Sequence, residues 1–275
     1  MNPDDLTRFR AWFSDYVASY YTDDPVHDRP VRLKQEHTER VCDEIVALGK
    51  SLEISPEEMM LAETMALFHD VGRFEQYASY GTFKDAISEN HAAIGLRELA
   101  KHKVLSSCSK EERLLVTKAI AYHNVRTLPD NEDDRTLFFP RLLRDADKLD
   151  IWRVFIDYYE ENGEGPNSTI IWDLPDTQTC SPKILSALGS GKMADTSDMA
   201  TLDDFKLLQI SWVFDLNFEP TFRAVRKRRY VDKIAGGLPE TEGIKRAVDV
   251  AQGYLERHSC PETRSKDLSK MQNKN

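Results

Sequence analysis

Apolar residues recur along most of this chain with the period of an α-helix. Leu6, Phe9, Phe13 and Val17 fall on one side of residues 5–22. From Glu36 to Gly49, His37, Val41, Ile45 and Leu48 recur at i, i+4, i+8 and i+11, so they share one helix face. Across residues 56–71, Ala62, Ala66 and His69 repeat beside Leu61, Met65 and Phe68, and Gly72 reads as the helix stop. Ser88 reads as the N-cap of a helix carrying His91, Ile94, Gly95 and Leu99. Ser109 with Glu112 is a capping-box pattern, and the helix it opens aligns Val116, Ile120 and His123. Pro140 suits the first turn of a helix with Leu143, Ala146, Asp147, Ile151 and Val154. Leu202 to Ile234 returns to helix with a break near Glu219-Pro220. Residues 240–257 place Ile244, Ala247, Val248, Ala251 and Leu255 on one stripe.

Between these stretches, Pro25 and Pro30 mark residues 23–31 as a loop. Residues 161–200 are rich in Gly and Pro and read as loop with short helices. No sustained period-2 alternation supports a strand, and no internal repeat is evident. The pattern predicts an all-α protein. One helical domain is expected over residues 1–257, with a core at about 34–157, an extension at about 161–257 and a disordered polar tail at 258–275.

One set of polar residues interrupts the apolar stripes. His37, the pair His69-Asp70, His91, His123 and Asp147 each sit on a segment that reads as helix, and they include four of the seven histidines. Burying four imidazoles and two carboxylates is costly without a common partner. A divalent metal centre is such a partner, because neutral imidazole and carboxylate suit Zn, Fe, Mn, Mg, Ni or Co. Asp145 lies two residues from Asp147, about 200° round the helix, so one helix cannot aim both at one metal. Asp145 reads equally as a surface carboxylate or as a group orienting a ligand.

Composition narrows the setting. A net charge of −10 speaks against long nucleic acid as partner. It leaves room for a small phosphorylated substrate, because metal ions supply local positive charge. The basic run Arg226-Lys227-Arg228-Arg229 spreads right round a helix and reads as a solvated face. No stretch is long and apolar enough for a membrane span, and the acidic start Met1-Asn2-Pro3-Asp4-Asp5 lacks a signal-peptide core. Cys42, Cys108, Cys180 and Cys260 are scattered and read as reduced thiols, which points to a cytoplasmic protein.

Three segments in order, Gln35-Glu36-His37-Thr38, Leu67-Phe68-His69-Asp70-Val71-Gly72-Arg73 and Arg144-Asp145-Ala146-Asp147-Lys148-Leu149-Asp150, resemble the HD-domain superfamily of metal-dependent phosphohydrolases. The resemblance covers roughly residues 34–157. It implies an HD-domain helical bundle with peripheral helices. It also implies that His37, His69, Asp70 and Asp147 hold a first metal. Asn90-His91-Ala92-Ala93-Ile94-Gly95 and Ala119-Ile120-Ala121-Tyr122-His123-Asn124 resemble the two-metal branch, which adds His91 and His123 as ligands of a second metal. His123 stands alone where cyclic-dinucleotide phosphodiesterases carry His-His-Glu, and no Gly-Tyr-Pro follows, which argues against that specialisation.

The function so implied is hydrolysis of a small phosphomonoester, phosphodiester or nucleotide by a metal-bound hydroxide, with Asp70 as the catalytic bridge between two metals. Arg73, Lys84 and Lys148 are the candidate substrate-binding residues. The same ligand set also resembles di-iron oxygenases of the superfamily, such as myo-inositol oxygenase. A non-catalytic ligand-binding HD fold is a third reading. Metal analysis separates the third from both enzymes, and anaerobic assay separates the enzymes from each other.

Overall fold

Helix caps placed by the sequence govern the observed elements. The computed structural model describes residues 1–22, 24–160 and 174–260, and these contain helices and no strand. The polar tail expected at 258–275 lies outside the described residues from 261 onward, and the loop-rich stretch lies outside them at 161–173. Two compact units are present, Met1–Asp150 and Ile151–Asn275.

The first unit begins with α1 (Pro3–Ala18), whose N-cap Asn2 forms a reciprocal box with Asp5. Helix α1 buries Phe9, Phe13, Tyr16 and Val17 and packs on α3. Helix α2 spans Pro25–Ser51, so the loop expected at 23–31 is mostly helix. Asp24 caps Val26 N–H, and Pro25 occupies the first turn, where its missing N–H is harmless. Pro30 then lies inside the helix. The carbonyl it leaves unbonded belongs to Val26, which is 80% exposed, so water can take the missing donor's place.

Helix α3 (Pro56–Phe68) opens on the Ser55–Glu58 capping box, and α6 (Lys110–Tyr122) on the Ser109–Glu112 box. Between them lie α4 (Gly72–Tyr80) and α5 (His91–Lys101). The N-cap of α5 is Asn90, which accepts from Ala93 N–H. Ser88, expected in that role, ends a short 3-10 turn at Asp85–Ile87 instead. Helix α2 packs on α3, α3 on α6, α5 on α6, and α4 on α5.

Helix α7 runs from Asp134 to Glu160 and supplies residues to both units. It starts before Pro140, because Asp133 accepts from Thr136 N–H at 2.9 Å and from its hydroxyl at 2.7 Å. Pro140 is therefore an interior proline, and not the first turn expected from the sequence.

The second unit contains α8 (Pro182–Gly189), α9 (Leu202–Ser211), α10 (Glu219–Arg228), α11 (Tyr230–Ala235) and α12 (Glu242–His258). Helix α12 buries all five stripe residues, Ile244, Ala247, Val248, Ala251 and Leu255, and packs on α8 and α10. The break at Glu219-Pro220 is present. A second break occurs at Arg229, which adopts φ +56° between α10 and α11. Arg223, Arg226, Lys227 and Arg229 are exposed, as expected of a solvated face. Among the described residues no helix is long and apolar enough to cross a membrane.

Candidate metal centre

Six side chains singled out in the sequence meet in the first unit. His37 comes from the middle of α2. His69 and His123 directly follow the last turns of α3 and α6, and Asp70 follows His69. His91 is the first residue of α5, and Asp147 lies on α7. All four imidazoles are buried. The His37 and His69 Nε2 atoms are 3.3 Å apart, and those of His91 and His123 are 2.9 Å apart.

Asp70 lies between the pairs. Its Oδ2 is 3.6 Å from His37 Nε2 and 3.7 Å from His69 Nε2, while its Oδ1 is 3.3 Å from His91 Nε2 and 3.9 Å from His123 Nε2. One oxygen thus faces each pair. Asp147 Oδ1 is 3.1 Å from His37 Nε2 and 3.7 Å from His69 Nε2. Two groups, His37–His69–Asp70 and Asp70–His91–His123, have ligand atoms within 4.8 Å of one another, close enough for a shared ion.

The protons of this cluster are fixed from behind. His69 Nδ1 donates to Ala66 O and His123 Nδ1 to Ile120 O, each at 2.7 Å, as a residue ending a helix can do. His37 Nδ1 donates to Asp150 Oδ2 at 2.7 Å, and His91 Nδ1 to Asp85 Oδ2 at 2.8 Å. Asp85 and Asp150 are each held at a pKa of about 2. Burial opposes their charge, but hydrogen bonds from His91 and His37, with help from Arg73 and Arg40, outweigh it. Both carboxylates therefore only accept, and every Nδ1 carries a proton. At His69, His91 and His123, where burial disfavours a second proton, Nε2 is left as a lone pair facing another imidazole or a carboxylate. Asp147 Oδ1 is itself buried with no hydrogen bond. An arrangement of mutually facing lone pairs is repulsive unless a cation stands among them, and neutral imidazole with carboxylate fits a divalent transition metal.

Electrostatics favour the same protonation states. Burial pushes the His69 and His91 pKa values down, aided at His91 by the Arg73 charge, and takes His123 to about 3 with help from His91 and His69. Burial acts against the charge on Asp70, but Lys34, His69 and Arg73 hold its pKa well below the usual carboxylate range. At His37, burial and Lys34 oppose charge, yet Asp147 and Asp150 outweigh them and raise its pKa. Two carboxylates therefore draw positive charge to that imidazole, and a proton and a metal ion compete for it.

The supporting residues were less visible in the sequence. Asp150 is three residues after Asp147 on the same helix face, and Arg40, three after His37, holds it through Nε at 2.6 Å. Lys34, three residues before His37, places Nζ 2.7 Å from Asp70 Oδ2. Helical spacing from the recognised ligands could have found all three. Asp85 is on a 3-10 turn and gave no periodic signal. Arg144 donates to Tyr122 O at 3.3 Å and to His123 O at 3.1 Å, steadying the end of α6.

Other expectations need correction. Asp145 is fully buried, which excludes the surface-carboxylate reading. Gly72 is not a helix stop. It starts α4, and a Cβ there would meet His91 O at 2.1 Å and Gly95 N at 2.4 Å. The glycine is needed because α5 passes against this backbone, and that close approach sets His91 beside Asp70. Arg73 donates to Asp85 Oδ1 at 2.9 Å and Phe83 O at 2.6 Å, with its Nε 3.4 Å from Asp70 Oδ1. Lys84 is half-buried where the 3-10 turn begins, and Lys148 is buried on α7 directly after Asp147. Their assignment to substrate rests on position alone.

The sequence profile of the HD domain matches residues 35–152, a span that takes in all six of these clustered side chains. This part of the chain is an HD domain. No curated protein and no solved structure gives a significant match to the chain. Within the HD domain the structure also exposes an internal repeat that the sequence reading passed over. His37, Ser55, Glu58, Leu61, His69 and Val71 recur 54 residues later as His91, Ser109, Glu112, Leu115, His123 and Val125. Helices α3 and α6 coincide end to end at that offset. Asp70 is matched by Asn124.

Proposed function

We propose that this HD domain is a metal-dependent phosphohydrolase acting on a small phosphorylated substrate. The observation that carries the reading is the convergence of four Nε2 atoms and both Asp70 oxygens, with every Nδ1 proton committed elsewhere. His37, His69, Asp70 and Asp147 would hold one divalent ion, and Asp70, His91 and His123 a second. When bound, such ions make water acidic enough to act as a nucleophile near neutral pH and neutralise charge on a phosphoryl group.

The chain's own residues do the rest. Asp150 and Asp85 fix the tautomers of His37 and His91, and the helix-end carbonyls fix those of His69 and His123. Lys34 and Arg73 flank Asp70 from opposite oxygens and give an acidic protein local positive charge for a phosphate. Burial of the imidazoles keeps protons off three of them. Long nucleic acid is not the expected substrate of a chain with net charge −10.

The test is anaerobic purification with metal analysis, followed by a panel of phosphomonoesters, phosphodiesters and nucleotides with added Mn²⁺, Mg²⁺, Fe²⁺, Ni²⁺ or Co²⁺. Metal-dependent phosphate release with little oxygen dependence is expected. Substrate turnover that requires O₂ and releases no phosphate would replace this reading with an HD-type oxygenase.

A further inference from the structure

The cluster of imidazoles opens to solvent on one side. The four histidine side chains are at most 5% exposed, whereas those of Asp147, Lys34, Arg73 and Asp85 are 16–30% exposed. These four side chains mark the mouth of the site. Phe83 borders it. The Phe83 ring lies 5.6 Å from Lys34 Nζ, which is itself 2.7 Å from Asp70 Oδ2, and the Phe83 carbonyl accepts from Arg73 at 2.6 Å. From Phe83 a row of rings continues outward. The Tyr77 ring is 5.2 Å from that of Phe83, and the His27 ring is 5.7 Å from that of Tyr77. All three rings are half-buried.

Apolar exposure falls on the same segments. Among the described residues the exposed large apolar side chains are Val26, Tyr80, Ile87 and Leu114. Val26 adjoins His27 in the first turn of α2, and Tyr80 and Ile87 bracket Phe83 on the α4–α5 connection. Exposed apolar side chains beside a polar site mark a surface that meets a ligand. Aromatic rings favour a flat partner, which can stack on them or meet them edge to face. A surface for an alkyl chain needs no rings, and Leu, Ile and Val would serve it. Tyr77 and His27 add polar ring atoms that the edge of a heteroaromatic ring can meet.

The geometry points to a substrate whose phosphoryl group is attached to a portion bearing a flat aromatic ring, either a nucleobase or a simple aryl group, with Phe83, Tyr77 and His27 as the residues that select it. This rests on the phosphohydrolase reading and adds to it what the phosphate is carried by.

The experiment compares adenosine 5′-monophosphate, phenyl phosphate, glycerol 2-phosphate and decyl phosphate as substrates of the Mn²⁺-supplemented full chain. The two aromatic substrates should have the higher kcat/KM. Phe83→Ala should cut the ratio of kcat/KM for adenosine 5′-monophosphate over glycerol 2-phosphate by about 5- to 150-fold, the loss that one stacked base shows when its aromatic partner becomes alanine. Phe83→Tyr, which keeps a ring, should preserve the ratio. Circular dichroism on each variant checks that it is folded. Saturation-transfer nuclear magnetic resonance reads contact without turnover, and the adenine protons should receive saturation from the wild type and lose most of it in Phe83→Ala. Phenyl phosphate turned over as well as adenosine 5′-monophosphate would identify the ring as a simple aryl group, and poorer turnover would identify it as a nucleobase. Equal kcat/KM for adenosine 5′-monophosphate and glycerol 2-phosphate, an equal fall for both in Phe83→Ala, or a preference for decyl phosphate would overturn the inference. In each of those cases hydrolysis itself is observed, so the phosphohydrolase reading survives and this inference alone fails. If no phosphoester is hydrolysed while the adenine protons still receive saturation that depends on Phe83, the ring-binding surface stands and the phosphohydrolase reading fails.

Discussion

Helices α2 and α3 form one histidine-bearing pair, and α5 and α6 form the other. Both carry a histidine, then a serine–glutamate capping box, then a second histidine at the helix end, 32 positions after the first in each case. They differ at the next position, where the first pair has Asp70 and the second Asn124. They differ also in what lies against them, since Asp147 and Asp150 of α7 both reach the first pair. The comparison separates two jobs. Local helix caps and helix ends decide where an imidazole points. A third helix and a single acid-to-amide difference decide how much negative charge each position holds.

The sharpest way to break this comparison is at the one residue both halves share. Asp70→Asn should cost both positions their metal and abolish activity, a larger loss than the 10- to 100-fold typical of a group behind a ligand. Metal analysis on the purified variant decides it, and retention of either ion would show that Asp70 does not bridge. Next come the two carboxylates behind the imidazoles. Asp150→Asn should weaken metal binding at the His37–His69 position, and Asp85→Asn at the His91–His123 position, each by about 10- to 100-fold. If either variant moves both positions equally, the halves are not independent.

A smaller, structural effect is expected at the seam. Gly72→Ala forces a Cβ into the backbone of α5 and should cost about 1–3 kcal/mol in urea unfolding, the usual range for overpacking. An unchanged midpoint would show that α4 and α5 do not approach this closely. The smallest effect tests the repeat itself. Ser55→Ala and Ser109→Ala should each lose about 1 kcal/mol, since each removes the N-cap of a capping box. Costs differing by more than about twofold would mean that equal sequence signals are not used equally.

Much of the HD domain is legible along the chain because its ligands are tied to helix periodicity. His37 shares a face with Val41, Ile45 and Leu48, all buried. Asp147 of the Ala146-Asp147 element lies with its Oδ1 3.1 Å from His37 Nε2. What failed was local chemistry read without its tertiary partner. Pro30 and Pro140 look like boundaries, yet Asp24 and Asp133 cap their helices earlier. Gly72 looks like a terminator, and its actual reason is a neighbouring backbone visible only once α5 is in place. Asp85 belongs to a 3-10 turn with no period to betray it, and it reaches His91 through folding of the α4–α5 connection. The repeat is faint because few side chains match between its copies, chiefly the caps, the histidines, two apolar positions and two further glutamates.

The contact between Gly72 and Gly95 also bears on the order of assembly. Each ligand pair is a helical hairpin whose contacts are local in sequence, the kind of element that forms fast. The two hairpins close on each other beside that glycine contact, where the four imidazoles also face one another. Without metal, the buried imidazoles and carboxylates that face one another here would weaken this junction. Metal ions that bind only the closed form would act as its clasp, and the added protection rises with free metal by mass action. Native-state hydrogen exchange should therefore show amides at the starts of α4 and α5 opening well before those inside α3 and α6 in metal-free protein. Metal should slow that opening selectively. Uniform protection in both states would mean that the hairpins fold and open as one body.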